Sequence, residues 1–260
     1  MNIKTIYKMR KYILALLFIP FVSCANNGNT VADVAFSSNS EISNSPVIVS
    51  HQKWDDLLKK HVSNTGKVDY LGFKNDSVAL QSYLDFLATN LPEKSSSKNA
   101  IVAYWINTYN AFTVKLILDN YPVKSIKDIK NPWDQKFIIL ENRGYSLGEI
   151  EHKILRKMDE PLIHFAINCA SYSCPNLLNE AYTESKIEKQ LAHSATSFIN
   201  DKTKNSITKD TIEISKIFDW FLGDFKVNGN LIDFLNRYST ETINPKAKIK
   251  FKDYNWNLNS

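Results

Sequence analysis

Cysteine is scarce in this sequence, which contains only three such residues among 260. They are Cys24, Cys169 and Cys174, and the last two stand with His164 in an H-x4-C-x4-C arrangement. The chain lacks the C-x2-C and H-x3-H pairs that are typical of structural zinc modules. We therefore predict neither a metal site nor a cofactor.

The apolar run near the start of the chain is too short to cross a membrane. Ile13–Phe21 has nine residues, whereas a spanning helix needs about 20. The run follows four basic residues and no acid, which is the order found in a signal peptide. Residues 1–23 are therefore predicted to be a signal peptide.

The end of this segment resembles the lipobox of bacterial lipoproteins, because the small residue Ser23 stands directly before Cys24. The resemblance implies cleavage before Cys24, lipid attachment to its thiol and acylation of its new amine. A membrane would then be a partner of the protein, and the cell envelope its location. A plain secreted protein with a free Cys24, or a retained anchor, stays open as an alternative.

Charge of one sign is not concentrated anywhere in the remaining chain. Removing residues 1–23 leaves 237 residues with a formal charge of +1, because the lost segment holds four bases and no acid. This balance excludes a nucleic-acid-binding surface. Residues 24–48 combine the lipidated cysteine with a Ser- and Asn-rich tether. Residues 49–260 are long enough to form a single globular domain with a substantial core.

The pattern along this domain predicts an α+β fold, mostly helical around a central buried helix, with small antiparallel hairpins. The strongest helix precedes Pro122 and is apolar almost all round, which is typical of a buried helix. A hairpin is expected at 136–147, with Gly144 in its turn, and another at 205–215. Alternation around Ile249 predicts a last strand.

Two shorter segments follow the first hairpin. Ser146 is expected to cap a helix over Leu147–Met158, with Glu149 in the capping-box position. The chain then breaks at Pro161. The apolar stretch LIHFAIN, residues 162–168, is interpreted as a buried strand.

The stretch HFAINCASYSCPNL, residues 164–177, concentrates the groups that could carry chemistry. A cysteine becomes a good nucleophile when a histidine or a helix N-terminus lowers its pKa. Cys174 is the candidate nucleophile, with His164 as its base, although Pro175 leaves no N–H after Cys174 for an oxyanion. Cys169 is expected to be the buried structural thiol. A disulfide, two structural thiols and a catalytic thiol stay open as alternatives.

Polar side chains on two predicted helices could support this site. Asn107 and Asn110 share one face of the buried helix and must be hydrogen-bonded there. They could clamp the backbone of a neighbouring loop, or Asn110 could orient a catalytic imidazole. Glu151 and His152 point about 100° apart on a helix, so one of them should point inward. Glu151 could hold His164, act as an acid or base, or form a surface salt bridge.

Five blocks in this order, YWINTYNAF, SLGEIEHKILR, HFAINCASYSCPNL, IFDWFLGDF and YNWNLN, resemble the family known as domain of unknown function 547. The resemblance runs from about Trp54 to Asn259. It implies no particular chemistry, because the family has no established activity.

Together these features suggest a thiol-dependent hydrolase or transferase that acts on amide or thioester bonds in the cell envelope. Cys174 would be the nucleophile and His164 the base, with Glu151 or Asn110 orienting the imidazole. The alternative is a non-enzymatic binding module with a structural disulfide or buried cysteines. A redox role in which Cys169 and Cys174 cycle is a third possibility, although their spacing is longer than that of a C-x-x-C motif. In each case the ligand would be a small molecule or a peptide, and an aromatic cluster around Trp220 could wall a groove for it.

Overall fold

The computed structural model describes residues 49–260. The predicted signal peptide, the lipid attachment at Cys24 and the tether over 24–48 lie outside these residues. Within them no helix is both long enough and apolar enough to cross a membrane.

The fold is α+β and mostly helical, as the sequence predicts. The helices of the first half are α1 (Gln52–His61), α2 (Tyr70–Asn75), α3 (Ser77–Thr89), α4 (Lys98–Asp119) and the single turn α5 (Leu147–Glu149). Those of the second half are α6 (Ile187–Asn200), α7 (Ile217–Trp220), α8 (Leu222–Phe225) and α9 (Leu231–Asn236). The strands are β1 (Ile138–Leu140), β2 (Arg143–Tyr145), β3 (Ser206–Ile207), β4 (Thr211–Ile214) and β5 (Lys248–Phe251).

Helix α4 is the central buried helix. The Ser97 hydroxyl caps it by accepting a hydrogen bond from the Ala100 N–H at 3.1 Å. Fifteen of its 22 residues are buried, so other elements surround it on all sides. Its buried threonine hydroxyls form hydrogen bonds within the helix, since Thr108 and Thr113 each donate to the carbonyl four residues earlier. The helix ends three residues before Pro122, which cannot continue it.

The two predicted hairpins and the last strand are confirmed, with one correction in the first turn. Gly144 is not in that turn but lies in β2, paired with Ile139. The two-residue turn consists of Glu141 and Asn142, both at positive φ, the geometry that suits the twist of a hairpin. β5 pairs with β4 in parallel, so the second sheet is mixed.

The segment predicted as a strand after Pro161 is instead a 3₁₀ helix, Pro161–Phe165. Pro161 favours a helical start, and the Glu160 side chain caps it by accepting a hydrogen bond from the Leu162 N–H. A short apolar run does not distinguish a buried strand from a buried helix by periodicity. The segment lies between two hydrophobic clusters, with Ile163 in the cluster around α4 and Phe165 in the cluster around α7 to α9.

The predicted helix over Leu147–Met158 is confirmed as a helical run of changing pitch. Ser146 caps it, accepting from the Glu149 N–H at 3.1 Å. After α5 the chain widens into a π-helix over Ile150–Ile154 and then tightens into a 3₁₀ turn over Leu155–Met158. Such π-helical turns are often found at functional sites because they redirect side chains.

Candidate functional site

A cavity of about 330 Å³ brings most of the predicted site residues together. It is lined by Tyr109, Trp133, Glu151, His152, His164, Ile167, Cys169, Cys174, Ile217, Trp220, Phe221, Tyr254 and Trp256. The chain therefore brings His164 and both cysteines to one surface, although ten residues separate the histidine from Cys174.

The two cysteines face each other across a tight loop, residues 168–174, which we call the thiol loop. Both are free thiols, and their Sγ atoms lie 3.2 Å apart. The Cys169 N–H also donates to the Cys174 Sγ at 3.1 Å. Asn168 closes the loop, because its amide donates to the Pro175 carbonyl and accepts from the Ala170 N–H. The predicted disulfide alternative is thus not the state of this structure.

Cys169 has the more reactive environment of the two, contrary to the expectation that it would be the buried structural thiol. It is only partly buried. The Cys174 sulfur lies 3.2 Å from the Cys169 sulfur, and the hydroxyls of Ser171 and Tyr254 lie 3.2 and 3.4 Å from the Cys169 sulfur. These hydrogen bonds, that of Cys174 first, lower the pKa of Cys169 to about 6 despite burial.

Cys174, the residue predicted to be the nucleophile, lies deeper and is 5% exposed. Burial, followed by the neighbouring Cys169, raises the pKa of Cys174 well above that of an ordinary thiol. The surroundings of Cys169 therefore stabilise a thiolate better than those of Cys174 do.

His164 is held in the cavity wall by Asp224. Its Nε2 lies 2.8 Å from Asp224 Oδ2, and its ring stacks on Phe221 with centroids 4.0 Å apart. Burial lowers the pKa of His164 to about 4, so the ring is neutral near pH 7. Because the Asp224 carboxylate only accepts hydrogen bonds, Nε2 must carry the proton and Nδ1 is left as the basic nitrogen.

Asp224 is the residue that sequence reasoning missed. Arg156 grips its carboxylate with two hydrogen bonds, Nε to Oδ2 at 2.7 Å and Nη2 to Oδ1 at 2.8 Å. These bonds, with the one from His164, lower the pKa of Asp224 to about 2. The only sequence signal was an acid inside an aromatic block, and nothing in the spacing links it to His164, 60 residues earlier.

Asn107 and Asn110 both clamp loop backbone, which confirms the first of their two predicted roles. The Asn107 amide donates to the Tyr182 carbonyl and accepts from the N–H of the same residue. The Asn110 amide donates to the Ala166 carbonyl and accepts from the Asn168 N–H, both within 2.9 Å. The expected contact of Asn110 with the imidazole is not formed. Asn110 instead anchors the start of the thiol loop.

Glu151 is buried in the cavity wall, whereas His152 also borders the cavity but is exposed to solvent, as expected for neighbours that point in different directions on a helix. The Glu151 carboxylate does not hold His164. It accepts a weak hydrogen bond from the Tyr109 hydroxyl at 3.5 Å, and it is 8% exposed. Burial first, and the nearby Cys169 second, raise the pKa of Glu151 to about 7. A carboxyl in this state can give or take a proton at neutral pH.

Aromatic side chains from the last part of the chain complete the cavity. Trp256 packs against Trp133, Trp220 and Tyr254 with ring centroids 5.6, 5.8 and 4.4 Å apart. The C-terminal segment is held against the thiol loop by backbone hydrogen bonds, including one from the Tyr172 N–H at 2.7 Å. The predicted aromatic wall therefore belongs to the same site as the thiols. Within residues 49–260, no group of three His, Cys, Asp or Glu side chains is placed to hold a metal ion.

Part of the chain is similar to a known protein family. Residues 93–199 match the model of the family described as "Protein of unknown function, DUF547". This match supports the predicted family resemblance over α4 and the segments that follow it. No curated protein and no solved structure matches the chain.

The DUF547 match contains most, but not all, of the site. It includes Asn110, Glu151, His164 and both thiols, whereas Asp224 and the aromatic C-terminal segment lie beyond it. The family description assigns no activity. Any function must therefore be argued from the cavity itself.

Proposed function

We propose that the protein is a thiol-dependent hydrolase or transferase that acts on amide or thioester bonds, with Cys169 as the nucleophile. The observation that carries this proposal is the environment of the Cys169 sulfur. It is surrounded by the Cys174 thiol and the hydroxyls of Ser171 and Tyr254, in a cavity that also exposes Glu151 and His164. Hydrogen-bond donors around a partly exposed sulfur stabilise the thiolate, which is the attacking form.

The first half of the reaction transfers an acyl group to the enzyme. The Cys169 thiolate attacks the carbonyl carbon, and the bond from that carbon to the leaving nitrogen or sulfur breaks. The protonated carboxyl of Glu151 gives its proton to the leaving group. A thioester on Cys169 results.

The second half of the reaction releases the acyl group. Nδ1 of His164 takes a proton from a water molecule, which attacks the thioester and expels the Cys169 thiolate. The proton on His164 returns to Glu151 through solvent, so the enzyme is restored. A thiol or amine in place of water would make the same site a transferase. Asp224 stabilises the imidazolium that forms and holds the proton on Nε2, which leaves Nδ1 as the base.

The proposal extends to where the protein acts. The basic segment, the short apolar run and Ser23–Cys24 favour export and lipid anchoring, with the substrate in the cell envelope. The cavity is lined mainly by apolar and aromatic side chains. Such a lining favours an uncharged acyl group, such as that of a small amide or a peptide.

Acyl transfer to the full-length protein tests this function. The probes are p-nitrophenyl butyrate and the butyryl thioester of N-acetylcysteamine, with turnover measured by absorbance and the acyl-enzyme by mass spectrometry. We expect a butyryl group on Cys169, and loss of both adduct and turnover in Cys169→Ala. Cys174→Ser keeps a hydroxyl donor beside Cys169, so it should still be acylated, and it shows which of the two thiols carries the acyl group. His164→Gln should acylate but turn over about 100-fold more slowly, the usual size of a lost general base.

A non-enzymatic binding module is the second candidate, favoured by the aromatic wall around Trp256. If neither probe leaves an acyl group on Cys169 and Cys169→Ala changes no rate, the enzyme proposal is wrong. Saturable quenching of tryptophan fluorescence by N-(2-acetamidoethyl)butanamide, the amide analogue of the thioester probe, with no turnover of the thioester, would then support the binding module.

A further inference from the structure

The spacing of the two sulfur atoms has a chemical consequence beyond acyl transfer. Cys169 Sγ and Cys174 Sγ lie 3.2 Å apart, and a disulfide bond is about 2.05 Å long. The two side chains need to approach by only about 1 Å to be joined.

We propose that Cys169 and Cys174 are a redox modification site, at which a small organic disulfide is reduced and an internal Cys169–Cys174 disulfide is formed. The ligand class is a disulfide small enough to enter the cavity of about 330 Å³. This inference goes beyond the proposed acyl chemistry and does not depend on it.

The first step uses the asymmetry between the two thiols. Cys169 is partly exposed in the cavity and surrounded by hydrogen-bond donors, so it is the attacking thiolate. It attacks one sulfur of the incoming disulfide RS–SR. The S–S bond of the ligand breaks, a mixed disulfide Cys169–S–S–R forms, and one RS⁻ departs.

The second step uses the position of Cys174. Burial, and then the negative charge on Cys169, keep the pKa of Cys174 high while Cys169 is a thiolate. In the mixed disulfide Cys169 carries no charge, so only burial still raises the pKa of Cys174. The Cys169 N–H, 3.1 Å from the Cys174 Sγ, remains to stabilise a thiolate there. Lys204 also lies near, since its ammonium donates to the Tyr172 carbonyl in the thiol loop.

Cys174 then attacks the Cys169 sulfur and expels the second RS⁻. Cys174 gives its proton to one departing group, and the other departing group takes from solvent the proton that Cys169 released when it ionised. The sum is one RS–SR and two cysteine thiols converted to one internal disulfide and two RSH. The protein loses two electrons and two protons, and the ligand gains them. A partly exposed attacking thiolate with a second thiol beside it suits this chemistry.

Oxidation of the full-length protein by 2-hydroxyethyl disulfide tests the site. The protein carries Cys24→Ser, so that Cys169 and Cys174 are its only thiols. We expect its intact mass to fall by two hydrogen atoms, both thiols to become unreactive towards iodoacetamide, and dithiothreitol to reverse both changes. Adding Cys174→Ser should instead trap a stable hydroxyethyl adduct on Cys169. Adding Cys169→Ser should slow the reaction at least 10-fold, because the remaining thiol is buried.

The inference is overturned if the protein with both thiols stops at the hydroxyethyl adduct, or if neither thiol reacts. Either result can be read without the serine variants, so a folding defect in them does not hide it. The butyryl probes are applied separately to the reduced protein. An internal disulfide without acyl transfer would leave the redox site standing and remove the acyl chemistry. Acyl transfer without an internal disulfide would do the reverse.

Discussion

At the scale of single residues, the site depends on moving protons between groups whose surroundings differ. Cys169 is ionised more easily than an ordinary thiol, because donors surround its sulfur. Glu151 is ionised less easily than an ordinary carboxyl, because it is buried beside Tyr109 and a second negative group. Opposite pKa shifts in these neighbouring groups bring both pKa values close to neutral pH, where acid–base chemistry is efficient.

Replacing Glu151 by glutamine should change how stability depends on pH. The folded-state pKa of Glu151 is about 7, above its ordinary value of 4.5. The stability contributed by the protonated carboxyl is therefore fully present below pH 4.5 and is lost as the pH rises through about 7. Glu151→Gln does not titrate, so its stability relative to the native protein should rise across this window, by roughly 3 kcal/mol at most.

Urea unfolding at several pH values measures this difference. The exposed Glu141 in the hairpin turn offers a control, because Glu141→Gln should show no such trend. A constant difference between Glu151→Gln and the native protein from pH 4.5 to 7 would show that the carboxyl is not held in its protonated form.

At the scale of secondary-structure elements, α4 positions two loops through hydrogen bonds from its side chains. Asn107 holds the segment around Tyr182, and Asn110 holds the start of the thiol loop. Both amides are almost fully buried, so each must satisfy the backbone groups that it faces. Only Asn110 holds the segment that leads directly into Cys169, so the two side chains provide a matched comparison.

Asn110→Ala and Asn107→Ala should both destabilise the protein, and only the first should disturb the thiols. Each removes two hydrogen bonds and leaves a buried carbonyl and N–H unpaired, which costs about 2 to 4 kcal/mol. Loosening of Asn168 in Asn110→Ala should also slow alkylation of Cys169 by iodoacetamide near pH 7. Urea unfolding gives the first quantity and mass spectrometry the second. Equal alkylation rates in the two variants would mean that Asn110 is not needed to position the loop.

At the scale of the whole molecule, the site lies where two hydrophobic clusters meet. Tyr109 belongs to the cluster around α4, and Phe225 to the cluster around α7 to α9. Asp224 joins the two sides, because it lies on α8 and binds both Arg156 and His164. The Asp224 carboxylate therefore links the two sides of the molecule as well as binding the imidazole of His164.

Replacing Asp224 by asparagine should weaken this junction in a pH-dependent way. The folded-state pKa of Asp224 is about 2, below its ordinary value of 3.8. Its contribution to stability is present above pH 3.8 and is lost as the pH falls through about 2. Asp224→Asn should thus be less stable than the native protein at neutral pH, by about 1 to 3 kcal/mol, with the gap closing in acid.

Chemical unfolding at neutral and acid pH measures this gap. Asp219→Asn is the control from the same segment, because Asp219 forms only a solvent-exposed pair with Lys216 at 3.3 Å. Such pairs contribute little to stability. A loss of stability in Asp224→Asn no greater than in Asp219→Asn would contradict the role of Asp224 in linking the two sides of the molecule.

Local patterns in the sequence determined much of the architecture. The buried helix and both hairpins follow from periodicity and capping, which act over a few residues. Helix geometry required only that one of Glu151 and His152 face inward. Where two local structures were equally compatible with the pattern, as in residues 162–168, the pattern led to a strand and the chain forms a 3₁₀ helix. Lipid attachment at Cys24 stays a prediction.

Tertiary structure alone decided which groups meet in the cavity. The sequence placed both thiols in one segment, but which of them is exposed depends on how the loop turns and on the donors that Tyr254 and Ser171 bring to Cys169. The partner of His164 comes from α8, 60 residues later, because two hydrophobic clusters pack together there. Burial and long-range contact are properties of the packed molecule, so no spacing along the chain could reveal them.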